Sequence, residues 1–281
     1  MYITDFENNV VNVYSYPAGK LVGSIGGFEG PEGACADPSG NVWIADQDHF
    51  QIHEFAHGVT KPLTTLTLQN QLVDGCSVDP SSGALAVDSY CQVSAYSCIG
   101  NGSVFLYANI TDQPKQYSVL NAANVYFSGF DSKGNLFVDA FETPGAGPFE
   151  LAELQKGSSN FESISVDRHI YFPGGVQWDG TYLAVGDQQA GNELTSSVHQ
   201  IAINGRTGTV VSTTKLQGVE DVVQFWIQGS TLVVPNIGLR AADARLYKYP
   251  TGGSPTVIAS GFGEPLGSAV SLAATKRDAR K

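Results

Sequence analysis

One strand–turn–strand phrase recurs along this chain about every 47 residues, and this period constrains the fold more than any other feature. Each copy has an apolar segment, a turn that contains glycine, and a second apolar segment that ends in Asp or Asn. The copies span residues 33–46, 75–88, 129–139, 175–187 and 222–236. Their turn glycines are Gly40, Gly83, Gly134, Gly180 and Gly229. The period predicts a repeat protein that folds as one unit rather than as two separate domains.

Each repeat has room for four short strands, and none shows a helical pattern of apolar residues. In the first unit we predict strands at residues 33–36, 42–45, 51–55 and 63–68. The 32 glycines and the low charged fraction of 15% are typical of an all-β protein with many tight turns. Four-stranded units of about 40–50 residues are typical of the blades of a β-propeller.

The two ends of the chain complete each other. Residues 263–273 resemble an inner strand without its successors, and residues 2–27 supply a second, third and fourth strand without an inner one. Joined, they make a composite blade, so the prediction is an all-β, six-bladed propeller without an open edge. We expect a single domain over residues 1–273 and a polar, basic tail over residues 274–281.

The first 90 residues carry a family resemblance. A Pro-x-Gly start at residues 31–33, an Asp-Pro-x-Gly-Asn turn at 37–41 and an apolar strand that ends at Asp46 resemble NHL repeats, and the likeness continues more weakly to about residue 273. The resemblance implies a six-bladed propeller. It does not imply one activity, because that family includes enzymes, receptors and interaction modules.

The net charge of −12 limits the partners. Nucleic-acid binding requires clustered Lys and Arg, and the negative charge also disfavours an anionic membrane surface. No apolar run is long enough for a membrane helix, so we expect no membrane insertion. A small-molecule or protein ligand, or a metal ion, is easier to accommodate, especially where it carries positive charge.

The four cysteines indicate a compartment. Cys91 and Cys98 bracket a short loop, where a disulfide would pin an exposed insertion; two free thiols are the alternative. Cys35 and Cys76 lie in equivalent inner strands, and we expect them to be buried as small apolar side chains. Because disulfides persist in oxidising compartments, we expect an extracytoplasmic or secreted protein whose leader has been removed, with the cytoplasm as the alternative.

Loops on one face of a propeller surround the mouth of the central channel, where ligands usually bind. Counting back from each turn assigns one mouth residue to each blade: Glu32, Asp74, Tyr126, Phe172, Asp221 and Leu266. Carboxylates that face one channel repel each other unless a cation or a shared proton compensates them. Glu32, Asp74 and Asp221 are therefore candidate ligands of a divalent metal, Ca²⁺ or Zn²⁺. The favoured alternative is that these acids accept hydrogen bonds from backbone amides of adjacent loops.

The mouth also resembles that of the gluconolactonase and senescence-marker-protein family. Residues 32–37 (EGACAD) are similar to that family's E-G-P-x-W-D phrase, and residues 73–75 (VDG) to its D-G phrase. The resemblance implies a metal-dependent lactonase site. That family also places Asn ligands at inner-strand mouths, where this chain has Tyr126 and Phe172.

A second acidic set follows the second strand of each blade: Asp5, Asp46, Asp88, Asp139 and Asp187, with Asn236 in the fifth unit. A residue that recurs in every blade is expected to do the same structural work in each, which here is to accept hydrogen bonds from loop amides. Because these acids lie on the mouth face, Asp46 and Asp187 are also candidate binding residues, together with Tyr126 and Phe172.

Histidines and aromatic residues complete the candidates. His49 and His169 precede or follow strands at the mouth, so each is a candidate general base near Glu32. His53 and His57 are expected to be ordinary outer-blade residues. Six aromatic residues are candidates for a rim suited to a sugar, a cation or a peptide: Tyr90, Tyr96, Tyr126, Phe141, Phe149 and Phe172. The alternative is that these rings cover the edges of blades.

Two functional hypotheses follow. The first is a non-catalytic, extracytoplasmic NHL-type binding module that uses its acidic, loop-rich channel face for a small molecule or a protein. The second is a divalent-metal-dependent hydrolase of the lactonase type, in which the metal polarises a carbonyl and activates water. A structural fragment of a larger secreted protein is a third alternative, and the residues alone leave open whether the protein is an enzyme.

Overall fold

The computed structural model describes residues 1–95, 97–190, 195–238 and 242–272, apart from the side chain of Ala146. These residues contain 26 strands and no α-helix. No helix that is long and apolar enough to cross a membrane occurs among them. The predicted tail at 274–281 lies outside the described residues.

The strands form six sheets in the described part of the chain. The chain opens with β1 (Tyr2–Asp5), β2 (Val10–Tyr14) and β3 (Leu21–Gly26). Blade 1 contains β4 (Pro31–Ala36), β5 (Val42–Asp46), β6 (Gln51–Phe55) and β7 (Thr64–Thr67). Blade 2 contains β8 (Gln71–Val78), β9 (Leu85–Ser94), β10 (Ser97–Gly100), β11 (Ser103–Tyr107) and β12 (Lys115–Ser118). The predicted strands of the first unit are confirmed as β4 to β7.

The remaining blades repeat this pattern. Blade 3 contains β13 (Asn124–Phe130), β14 (Leu136–Thr143), β15 (Ala146–Leu154) and β16 (Glu162–Ser163). Blade 4 contains β17 (Ser165–Val166), β18 (Pro173–Trp178), β19 (Leu183–Asp187), β20 (Ser197–Asn204) and β21 (Thr207–Lys215). Blade 5 contains β22 (Trp226–Gln228), β23 (Thr231–Ile237), β24 (Ala242–Lys248) and β25 (Gly252–Ser260). The last strand is β26 (Ser268–Ala269).

The ring closes as predicted. Strand β26 pairs antiparallel with β1, with Tyr2 opposite Ala269, and the sheet order β26-β1-β2-β3 forms the composite blade. Beside this seam the amide of Thr4 donates to the carbonyl of Gly267 at 3.1 Å. Six clusters of buried apolar side chains lie between neighbouring blades, and one of them packs Ile3 of β1 against Val233 of blade 5. The fold is a closed, six-bladed, all-β propeller.

The repeated turns explain the period. All five turn glycines have φ between 61° and 101°, a conformation that glycine adopts without steric cost. Where Asp opens the turn, its carboxylate accepts amides two to four residues later: Asp37 Oδ1 accepts from Asn41 N at 2.8 Å, and Asp131 Oδ1 from Lys133 N at 2.8 Å. The Asp-x-x-Gly phrase therefore stabilises the turn between the first two strands of a blade.

Glycines also let the inner strands approach one another. A Cβ atom on Gly129 would lie 2.7 Å from the carbonyl oxygen of Val176, and one on Gly174 would lie 2.8 Å from that of Val222. At Gly33 an added Cβ would collide with the carbonyl oxygen of Asp74. Gly33, Gly129 and Gly174 are thus required by the close approach of neighbouring blades at the channel.

Both cysteine pairs are disulfides. The Cys91–Cys98 bond confirms the favoured prediction for the loop between β9 and β10. The prediction of buried free thiols at Cys35 and Cys76 was wrong, because these residues form a disulfide that joins β4 to β8. Equivalent positions on adjacent inner strands bring their Cα atoms to 5.7 Å, a normal separation for a disulfide.

Candidate functional site

Two of the predicted mouth acids meet at one amide. Glu32 begins the channel-facing part of β4, and Asp74 occupies the same place in β8 of the next blade. The Nε2 amide of Gln47, which follows β5, donates to Glu32 Oε2 and, at 2.9 Å, to Asp74 Oδ1. Sequence reasoning found both acids but missed Gln47. The available signal was its position directly after Asp46, the strand-end Asp that recurs along the chain.

The surroundings of the two carboxyls disfavour loss of their protons. Burial raises the pKa of Glu32 well above its usual range, and the neighbouring Asp74 raises it further. Burial also raises the pKa of Asp74, although hydrogen bonds from Gln47 and Glu32 oppose this change. Glu264 and Asp48 add negative potential at Glu32. The site therefore stabilises a bound proton or another positive charge.

Aromatic rings lie beside this carboxyl pair. Tyr90 and Tyr126 make a T-shaped contact with ring centroids 5.3 Å apart, and Tyr126 contacts Phe141 and Phe172, each at 5.6 Å. Burial raises the pKa of Tyr90, and the charges of Asp74 and Glu32 contribute to that increase. Tyr90 and Phe172 are partly exposed, whereas Tyr126 and Phe141 are buried. The predicted aromatic rim thus becomes a cluster of four rings at the mouth; Tyr96 lies outside the described residues.

The third predicted acid, Asp221, has a different charged neighbour. Burial and the neighbouring Glu220 raise the pKa of Asp221. Within the described ranges, no three His, Cys, Asp or Glu side chains converge closely enough to hold a metal ion. Glu32 and Asp74 are brought together, but Asp221 does not complete a ligand set with them. The sixth mouth position, Leu266, is buried.

The repeated acids accept hydrogen bonds from backbone amides of the loops. Asp5 accepts the amides of Gly263 and Glu264, and Asp187 accepts those of Tyr171 and Phe172. Asp46 accepts the amide of Glu29 at 2.7 Å. Asp46 and Asp187, at 0% and 1% exposure, are sealed from solvent. These contacts agree with the structural interpretation, because the oxygens of Asp46 and Asp187 accept hydrogen bonds from the protein itself. Ligand binding by either residue stays a prediction.

Neither candidate general base, His49 or His169, contacts Glu32 through a hydrogen bond or ion pair in the described part of the chain. His49 Nδ1 lies 2.9 Å from Asp46, and its Nε2 lies 3.2 Å from Glu29. The hydrogen bond to Asp46 raises the pKa of His49, which favours an imidazolium rather than a base. His53 also contacts Asp46, at 3.0 Å, so it is more than an outer-blade residue. His169 is exposed and packs its ring against Tyr171.

A prediction for pH dependence follows from Asp88. Its Oδ1 atom is buried without a hydrogen-bond partner in the described structure, and burial raises its pKa from 3.8 to about 7. The folded protein therefore binds more protons than the unfolded chain between these values, so the free energy of unfolding falls as the pH rises through this window and levels off above it. We expect a higher Tm at pH 5 than at pH 8, measured by calorimetry.

The variant Asp88→Asn is the control for that experiment. It has no titratable group at this position, so the decrease of Tm between pH 5 and pH 8 should be smaller than in the parent protein. Glu32, Asp74 and Asp139, whose pKa values are also raised by burial, leave part of the dependence in place. An unchanged slope in the variant would contradict the assignment to Asp88.

Comparison with known proteins identifies the fold of the chain but does not identify a family. No protein-family model matches the chain, and no curated protein matches it, so the NHL and lactonase resemblances are not confirmed. A chain in the crystal structure of a nidogen/laminin complex is similar, with 12% identity, a TM-score of 0.69, and coverage of 97% of this chain and 98% of that chain. At 12% identity this similarity shows the fold alone. Because 979 chains of solved structures match this chain, the similarity does not indicate one activity. The chain is a six-bladed β-propeller.

Proposed function

We propose that this propeller is an extracytoplasmic binding module that takes an organic ammonium ion at its channel mouth. The observation that carries the proposal is the carboxyl pair Glu32–Asp74, which is joined by the Gln47 amide and in which burial raises the pKa of both groups. A ligand ammonium supplies a positive charge and donates hydrogen bonds to both carboxylates. Binding of this kind would release the proton that the pair retains.

The four-ring cluster supports a ligand with organic character. An ammonium group beside the faces of Tyr90 and Phe172 gains cation–π attraction, and apolar ligand atoms gain contact with the same rings. The similar propeller in the nidogen/laminin complex comes from an assembly of proteins, so a lysine side chain of a protein partner is a second source of the same group. Two disulfides support an oxidising compartment.

Calorimetric titration with benzylamine tests the proposal, with neutral benzyl alcohol as the matched ligand. We expect benzylamine alone to bind, with release of about one proton, measured from the heats in two buffers of different ionisation enthalpy. Glu32→Gln and Asp74→Asn should each weaken binding by about tenfold or more, because each removes one charged acceptor. Glu29→Gln, at an exposed acid on the same face, is the control and should bind normally.

Two outcomes would replace the proposal. Equal binding of benzyl alcohol would show that the positive charge is not recognised. Stoichiometric Ca²⁺ or Zn²⁺ that is lost in Glu32→Gln, together with turnover of lactones, would favour the metal-dependent hydrolase instead.

A further inference from the structure

A cavity of about 340 Å³ lies at the opposite end of the channel from the Glu32–Asp74 mouth. Its walls come from all six blades, at the ends of the inner strands that lie beyond the glycines where those strands approach one another. Ala36, Val78, Phe130, Trp178, Trp226 and Leu272 contribute one side chain per blade. A concave space of this size, built on rigid strands, is typical of a small-molecule site.

The residues that line the cavity disfavour a charged ligand. Asp37 is the only ionisable side chain among the described residues that line the cavity, and its carboxylate already accepts the backbone and side-chain amides of Asn41. No Lys, Arg or His among these residues could compensate an anion, and no free carboxylate could compensate a cation. A charged ligand would lose its hydration without a partner, so a neutral ligand is favoured.

Most polar groups of the cavity lining already have hydrogen-bond partners within the protein. The hydroxyls of Ser77 and Ser128 bond each other at 2.9 Å, and Ser128 donates to Asp88. Both amide atoms of Gln177 pair with the backbone of Ile227. A sugar, which needs partners for many hydroxyl groups, is therefore poorly matched, whereas flat apolar atoms pack well against Trp178 and Trp226.

Two side-chain donors of the lining have no hydrogen-bond partner in the described part of the chain: the buried Nε1 of Trp178 and the Nε2 amide of Gln224. Gln224 lines the cavity at 7% exposure, and its Oε1 atom accepts the amides of Ala34 at 2.9 Å and Ser268 at 3.2 Å. Its Nε2 amide makes no hydrogen bond to any residue that the structure describes. Because the two backbone amides fix the orientation of the side chain, this donor is preorganised for an acceptor atom of a ligand.

We propose that this end of the channel is a second binding site, separate from the mouth, for a neutral, flat aromatic molecule that carries a carbonyl or another acceptor oxygen. The rings of Trp178 and Trp226 contact the ligand plane, and Gln224 Nε2 donates to the acceptor. The site needs no part of the Glu32–Asp74 pair.

The neutral naphthyl ketone dye prodan tests this site. Trp178 and Trp226 are two of the three tryptophans in the chain, so energy transfer from tryptophan to the dye reports occupancy. We expect saturable binding of one dye per chain with blue-shifted emission. Naphthoate and naphthylmethylamine, the charged analogues, should bind at least about tenfold more weakly. The same dye without its acyl group should bind roughly 3- to 10-fold more weakly, because it lacks the acceptor for Gln224.

Two cavity-filling variants from neighbouring blades locate the site. Ala36→Phe and Val78→Phe should each lower prodan affinity by about tenfold or more, with folding checked by circular dichroism and Tm. Glu32→Gln, at the opposite end, should leave prodan affinity unchanged whether or not the mouth binds ammonium ions. Absence of saturable binding, equal binding of naphthoate, or full affinity in a folded variant of either position would overturn the proposal.

Discussion

Replacing Gly267 by Ala should destabilise this propeller by about 3 kcal/mol, because the added methyl group has no room. Its Cβ would collide with the carbonyl oxygen of Glu32 and lie 2.9 Å from the Cα of Gly33, both of which are backbone atoms of the neighbouring blade. The amide of Gly267 also donates to Thr4 Oγ1 at 2.7 Å, across the junction that closes the ring. Relief of the clash requires that the last inner strand move away from the first internal blade.

The control for this experiment is Gly23→Ala in β3. Nothing lies within 4 Å of a Cβ built on Gly23, so the substitution should be neutral or slightly stabilising. Urea unfolding of both variants measures the difference in the free energy of unfolding. Equal stability of the two variants would contradict the close approach of the inner strands at Gly267.

Loss of the Cys35–Cys76 disulfide should destabilise the protein by about 4 kcal/mol, because the bond closes a long loop in the unfolded chain. The two cysteines are 41 residues apart, whereas Cys91 and Cys98 are separated by 7. For the short loop the same entropic argument gives a loss of only about 2 kcal/mol. The double variants Cys35→Ala/Cys76→Ala and Cys91→Ala/Cys98→Ala are therefore a matched pair.

Thermal unfolding of the two double variants gives the order of the effects. The Cys35/Cys76 variant should have the lower Tm, since the longer loop gains more entropy when the bond is absent. Thiol titration of the denatured parent protein should find no free cysteine. Four titratable thiols in the parent protein, or the reverse order of Tm, would refute the prediction.

The fold could be predicted from the sequence because its determinants are local and repeated. Each of the five turns contains a glycine with positive φ, and in four of them an opening Asp accepts an amide at most four residues later, as Asp37 does from Asn41. The alternation of apolar segments then specifies the strands, and the partial blades at the two ends predict the pairing of β26 with β1. Regular spacing of Asp46 and Asp187 also indicated their work as acceptors for loop amides.

The sites depend on contacts that the repeat does not encode. Only the tertiary structure decides that Gln47 joins Glu32 to Asp74 and that Cys35 bonds Cys76. Each of these facts depends on the distance between side chains of different blades. The cavity at the far end of the channel has the same origin. Its residues look like ordinary strand ends in the sequence, and closure of the ring brings them around one space.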